Sequence, residues 1–251
     1  MAHESTEAIL LHAFDYQESS RILRLLTRDH GLRSVLARGA KRSAKRFGAA
    51  LDLFVQGTAE LEIKQGRDLD TLNSFDLTRT RAGIGADLSR FNGAAALAEL
   101  IIRFAQDDTD PDLFDITADA LDRVASADGD LARDAAIAGS WRILAALGFE
   151  PSLDQCGECQ RDIGDEETVL FNHASGGVIC ERCASRGLAG RRLPPEARVT
   201  LRDWLIAERV TKNEEPLTPP SAKAHQRLLR EFVHEHLTDG RPLKAFDAWA
   251  A

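Results

Sequence analysis

All four cysteines of the chain, Cys156, Cys159, Cys180 and Cys183, fall in one pattern, C-x2-C-x20-C-x2-C. Each C-x2-C sets two sulfurs on a tight knuckle that reaches one metal ion at about 2.3 Å. The stretch between them contains VLFNHASGGVI, which reads as a hairpin turning at Gly176–Gly177 and would bring the knuckles together. Four thiolates fill the tetrahedral shell of zinc, so the spacing predicts one structural Zn2+ per chain with no position open for a reactive water. A thioredoxin-like redox pair needs a single C-x-x-C beside a βαβ pattern, which this sequence does not offer. His173, in the hairpin, is an alternative fourth ligand, although a surface histidine is the plainer reading.

Charge carries the second signal. The chain has a formal net charge of −8, yet residues 1–81 hold 13 Lys/Arg against 11 Asp/Glu. From Leu32 to Leu51 there are six cations, Arg33, Arg38, Lys41, Arg42, Lys45 and Arg46, and no acid. Such a run between strands predicts a surface for a polyanion, with DNA phosphates as the contacts. Six neutralised phosphates would give a log–log salt slope of about −5 at most. The aromatic supply for stacking is thin: Phe14, Tyr16, Phe47, Phe54 and Phe75. Phe47, closing the basic run, is the best placed of them, so the expected site holds backbones and reads little sequence. After the second knuckle come Arg182, Arg186, Arg191, Arg192 and Arg198, a secondary surface for DNA or for an acidic peptide. Glu181 and Glu196 flank it and dilute its charge.

The elements that must position these residues fall into two groups. TEAILLHAF, SRILRLLT, LRSVLAR, FVQGTAELEIK and LDTLNSFDL read as five short strands, with turns at TRDHGL and KQGRD. Five strands in the first 81 residues predict an OB-type barrel. Helical periodicity then takes over, with Leu88, Phe91, Ala95, Ala98 and Ile102 recurring along the first long helix. A second helix begins at Asp110 as N-cap with Pro111 behind it, and a third carries Trp141, Leu144, Ala145 and Gly148 toward the core. Two more helical patterns lie in PPEARVTLRDWLIAERV and PSAKAHQRLLREFVHEHL. The expected fold is α+β and multidomain: an N-terminal OB-fold β-barrel over 1–81, then an all-α domain over 82–251 carrying a four-cysteine, zinc-ribbon-like insert at about 151–190.

No apolar run approaches the roughly 18 residues of a membrane span. MAHESTEAIL lacks the basic start and apolar core of a signal peptide, so a cytoplasmic location is expected. The sequence holds no GxSxG, HExxH, Walker lysine motif or triad, and no catalytic residue is assigned. Two readings compete with DNA binding: a zinc-containing thiol oxidoreductase, and a sequence-specific DNA-binding regulator using the knuckle as a reader.

TRDHGLRSVLARGAKRSAKRFGAALDLF, with LDTLNSFDL downstream, resembles the N-terminal domain of the RecO family of bacterial recombination mediators. The order of barrel, helical region and four-cysteine insert follows the same family over nearly the full chain. The resemblance implies a non-enzymatic protein of DNA repair whose OB-fold binds single- and double-stranded DNA and anneals complementary strands. It implies partnership with RecR in loading RecA, association with the nucleoid, and contact with the acidic tail of single-stranded DNA-binding protein. The family's basic residues map by motif onto Arg33, Arg38, Lys41, Arg42, Lys45 and Arg46.

Overall fold

The computed structural model describes residues 2–42, 47, 51–63, 68–105, 110–206, 215–237 and 241–250. Five strands, β1 (Ala2–Tyr16), β2 (Ser20–Thr27), β3 (Gly31–Ala37), β4 (Gln56–Ile63) and β5 (Asp70–Arg79), form a closed barrel in the order β1-β2-β3-β5-β4. All neighbours are antiparallel except β3 and β5, which run parallel, and β4 closes the ring on β1. Each expected strand is present, and β1 is longer than its apolar stretch suggests. Its first half pairs with β4 and its second with β2, so it must bend between them. A bulge between Leu10 and His12 supplies the bend. Gly31 takes the positive φ, 63°, that the TRDHGL turn requires.

Alternation divides the strands between two cores. Ala8, Leu10, Leu23, Leu25, Val35, Ala59, Leu61, Leu72 and Phe75 fill the barrel. Ile9, Leu11, Leu26 and Leu32 face outward, yet they are buried, because they join the core of the helical body. That body comprises α1 (Ala82–Ala86), α2 (Leu88–Phe104), α3 (Pro111–Ser126), α4 (Asp130–Ala146), α6 (Pro195–Leu205), α7 (Pro219–Leu237) and α8 (Lys244–Trp249). A small sheet of β6 (Val169–Asn172), β7 (Gly177–Ile179) and β8 (Arg191–Leu193), with the one-turn α5 (Glu181–Ala184), lies between α4 and α6 in sequence.

Asp110 caps α3 as expected, accepting from the Leu113 amide at 3.0 Å. Two expectations about helix faces are corrected. On α2 the core side is Ala94, Leu97, Ala98, Leu100 and Ile101, whereas Leu88 is 74% exposed. Alanine and leucine occupy so many positions there that periodicity does not single out a face. Gly148 is not in the core; it is exposed at φ 90°, just past the end of α4. Gly139 does serve packing: a Cβ there would meet the Ala120 Cβ at 2.8 Å, so its absence lets α3 and α4 approach.

Arg81, between β5 and α1, joins barrel to body. Its side chain is 1% exposed. It donates to the Phe54 carbonyl at 2.8 Å, Gln56 Oε1 at 3.0 Å, Asp122 Oδ1 at 2.7 Å and the Ala118 carbonyl at 3.3 Å. Arg28 makes a second tie, bidentate to Asp115 of α3 at 2.6 and 3.0 Å, with its guanidinium 4.5 Å above the Phe114 ring. Arg81→Ala removes a buried cation and strands Phe54 O and Asp122, so it should destabilise the chain by about 3 kcal/mol in urea unfolding. Arg79→Ala, at the half-exposed partner of the same Asp122, should cost less than about 1 kcal/mol.

His225 of α7 is buried against Trp204 of α6, ring centroids 4.7 Å apart, with no partner for its ring nitrogens among the described residues. Burial pushes its pKa down to about 4. Unfolded, it titrates near 6.5. Between those values the unfolded chain binds a proton that the folded chain does not. Its neutral burial is therefore fully favourable above about pH 6.5, and stability falls as pH drops toward 4. Unfolding measured across that window should lose about 3 kcal/mol of pH dependence in His225→Phe.

Candidate metal centre and nucleic-acid interface

The two knuckles meet as their spacing requires. Cys156 donates its amide to the Arg161 carbonyl at 2.8 Å, and Gln160 returns one to the Cys156 carbonyl at 2.8 Å, closing the first turn. Gly157 donates to the Val178 carbonyl at 2.9 Å, which ties that turn to β7. The second knuckle leaves β7 at Cys180 and enters α5, where Cys183 faces back. The hairpin turns over His173–Gly176, and Gly177 begins β7. All four Sγ atoms lie within 4.8 Å of one another, with Cys159 and Cys180 at 3.8 Å. Sulfurs at about 2.3 Å from a tetrahedral centre stand about 3.8 Å apart, so the cluster has the size of a metal shell.

Its surroundings suit bound thiolates. The Cys180 amide points at Cys156 Sγ, 3.4 Å away. The Arg161 amide and the Arg182 side chain hold the Cys159 thiol down at about 6. Cys183 is pushed up to about 12, by desolvation and by its three neighbours. Four crowded thiols ionise together only around a cation, so the donor set fits a metal ion. Arg161 and Arg182 then balance the negative charge that four thiolates retain around a divalent ion. His173 is not among these ligands. Its Nε2 faces the Leu228 carbonyl at 3.3 Å, and the His236 ring bonds the His173 carbonyl at 2.7 Å, fastening the hairpin to α7.

The basic residues of the barrel are less uniform than their sequence. Arg38 is exposed, with no partner among the described residues. Arg42 is exposed and stands 3.9 Å from Glu18, a weak surface pair. Lys41 reaches Asp15 at 3.0 Å, and Asp15, also 3.4 Å from Arg21, is held below the usual carboxylate range by these cations, Lys41 first. A segment without acids in sequence thus has two acids beside it in space, because the β1–β2 turn lies against it. Arg33 shares a face with Leu25 at the barrel end, donates to the His30 carbonyl at 2.8 Å and lies 3.9 Å from buried Asp70. Arg33 is therefore engaged in the barrel, unlike Arg38. Lys45 and Arg46 lie outside the described residues, as do Lys64 to Arg67 of the KQGRD turn.

Phe47 is corrected. It is 2% exposed within the barrel core and has no ring face free for a base. The aromatics left open are Phe14 and Tyr16, at the end of β1. Strand parity could have found them, since they alternate with Ala13 and Asp15, but the apolar pattern that marks β1 fades before them.

Beyond the second knuckle, Arg198 is fully buried, bonding the Gly164 and Asp165 carbonyls, and is no surface residue. Arg191 is paired bidentately with Glu231 of α7, and Arg182 serves Cys159. Only Arg186 and Arg192 of the five are exposed without a partner among the described residues.

Comparison with known proteins then places the chain. A family model described as "Recombination protein O N terminal" matches residues 1–81, and "Recombination protein O C terminal" matches residues 85–245. These matches define a DNA repair protein of the recombination class. The chain is 35% identical over 244 residues to DNA repair protein RecO of Anaeromyxobacter sp. (strain K), spanning 94% of this chain and 92% of that one. It is 33% identical over 246 residues to DNA repair protein RecO of Geobacter metallireducens, spanning 98% and 96%. The chain belongs to the RecO family. No described helix is long and apolar enough to cross a membrane.

Cys156→Ser removes a fully buried thiol of the cluster. Metal analysis of the purified variant should find the bound ion lost or strongly depleted against one per chain in the parent, with a lower melting temperature.

Proposed function

We propose that this chain is a non-enzymatic recombination mediator that binds single- and double-stranded DNA largely through phosphates and anneals complementary strands. It works with RecR in loading RecA, and its helical body receives the acidic tail of single-stranded DNA-binding protein. The chain acts in the cytoplasm, associated with the nucleoid. The DNA-binding unit is residues 1–81. Residues 82–251 form the second unit, and its knuckle at about 151–190 holds one structural Zn2+ through Cys156, Cys159, Cys180 and Cys183.

One observation carries the DNA reading: a closed OB-type barrel presents Arg38 and Arg42 to solvent at the start of its basic loop, in a chain of the RecO family. Annealing needs no bond chemistry. A surface that neutralises backbone repulsion and leaves base edges free lets two strands pair. Tetrahedral S4 coordination favours zinc among the common divalent ions, and a saturated shell gives it a scaffolding role. That saturation also disfavours a thiol oxidoreductase, and a knuckle whose helix is one turn long, Glu181–Ala184, offers no recognition helix for a sequence-specific regulator.

Lys41, Arg42, Lys45 and Arg46 changed together to Glu should weaken oligonucleotide binding at least about tenfold and abolish annealing. With Arg38, Arg42, Lys45 and Arg46 each neutralising a phosphate, the parent's log–log salt slope on single strands should be about −3. Fluorescence anisotropy over a salt series reads both. Undiminished affinity in a folded variant would remove the basic loop from the site.

A further inference from the structure

The barrel's aromatic residues divide by burial. Phe47, Phe54 and Phe75 are at most 2% exposed, whereas Phe14 is 49% and Tyr16 is 40% exposed. Successive side chains of a strand point to opposite faces, so His12, Phe14 and Tyr16 share one. All three are exposed, whereas Ile9 and Leu11, just before them on β1, are buried under the helical body. The His12 ring meets Phe14 edge to face, centroids 4.3 Å apart, and braces it. Across the sheet, Ile22 stands opposite Phe14 and Ser20 opposite Tyr16, with Leu36 beyond Ile22. The far end of this stripe adjoins the basic loop. The Lys41 amide bonds the Ser19 carbonyl at 3.1 Å, and the Gly39 amide bonds Ser20 Oγ at 3.4 Å. Arg38 and Arg42 flank those two bonds in sequence.

We propose that Phe14 and Tyr16 form a stacking platform for the bases of a single strand whose phosphates Arg38, Lys41 and Arg42 hold. This rests on the DNA-binding reading above and adds a preference for single over double strands. Spacing supports it. Alternate side chains on a strand are about 6.8 Å apart, twice the roughly 3.4 Å rise per nucleotide along a duplex strand. Rings so placed match the bases of an extended strand and not those of a helix, whose faces already cover one another. Charge supports it too, because the exposed rings lead to cations, as in sequence-tolerant single-strand sites. The half-exposed rings lie on a face that the described residues leave open.

The test compares a fluorescein-labelled oligothymidylate with a labelled duplex of random sequence, at one moderate salt concentration. Phe14→Ala with Tyr16→Ala should lower oligothymidylate affinity at least about tenfold, leave duplex affinity within about twofold, and leave the salt slope unchanged. Equal losses on both probes, or none, would overturn the platform. Lys41→Glu with Arg42→Glu is measured alongside. Weakened binding in that variant only sinks stacking and spares the DNA reading. Full binding in both sinks the DNA reading itself and leaves the rings to a protein partner. A second readout needs no loss of side chain. The three natural tryptophans are at most 9% exposed, so Phe14→Trp adds the one exposed indole among the described residues. Its fluorescence should be quenched by oligothymidylate and unaffected by duplex, and equal quenching by the two would also overturn the platform.

Discussion

The guanidinium of Arg81 is the buried polar tie between the barrel and the helical body. A cation taken out of water is stable only when its donors are matched, and Arg81 finds acceptors on β4, on the β3–β4 connection and on α3. Burial lowers its pKa, and the Asp122 carboxylate opposes that shift. One acceptor is the carbonyl of Phe54, a non-glycine residue at φ 69°, a costly conformation that the surrounding bonds sustain. Phe54 itself belongs to the helical core and its amide bonds Leu10, so the same few atoms fix strand β1, the loop before β4 and helix α3. The barrel's outward residues are apolar on one side because the helices sit there. Phe14, Tyr16, Arg38 and Arg42 lie beyond that cover and are exposed.

Electrostatics separates the two halves of the molecule. In the helical body, several arginines are matched to the body's own carboxylates: Arg90 to Asp128 at 2.6 Å, Arg133 to Asp130 and Asp134 at 3.1 Å, Arg161 to Glu167 at 2.7 Å, and Arg142 to Asp119. Pairing leaves that surface with its acidic excess and little field for a polyanion. The thiol cluster follows the same logic locally, with Arg161 and Arg182 set against its charge. At the barrel, Arg38 and Arg42 stay exposed, Arg42 with only a weak pair to Glu18. Among the described residues, an acidic chain thereby keeps its least paired barrel cations together on one segment.

Much of this was legible from residue types and spacing. The C-x2-C repeats announced a metal shell because a knuckle is a local device, and the intervening hairpin needed only a short apolar stretch and two glycines. The strands of the barrel showed because turn residues and alternation are local too. Less visible was the face of α2, where alanines and leucines surround the middle of the helix and neither side is excluded from the core. The basic run was visible as charge, but its neighbours were not: Asp15 and Glu18 reach Lys41 and Arg42 only once β3 pairs with β2 and returns the chain to the β1–β2 turn.

The sequence by itself determined the elements, the four-thiol cluster and the segment that carries positive charge, since each depends on residues close together in the chain. Tertiary structure alone decided which cations remain available and which rings meet solvent. Arg33, Arg191 and Arg198 look as free as Arg38 in sequence, yet Asp70, Glu231 and the Gly164 carbonyl claim them. Phe47 and Phe14 look alike, yet one closes the barrel core and the other stands outside it. Exposure and pairing are set by what lies opposite across the fold, and the residues opposite come from distant parts of the chain.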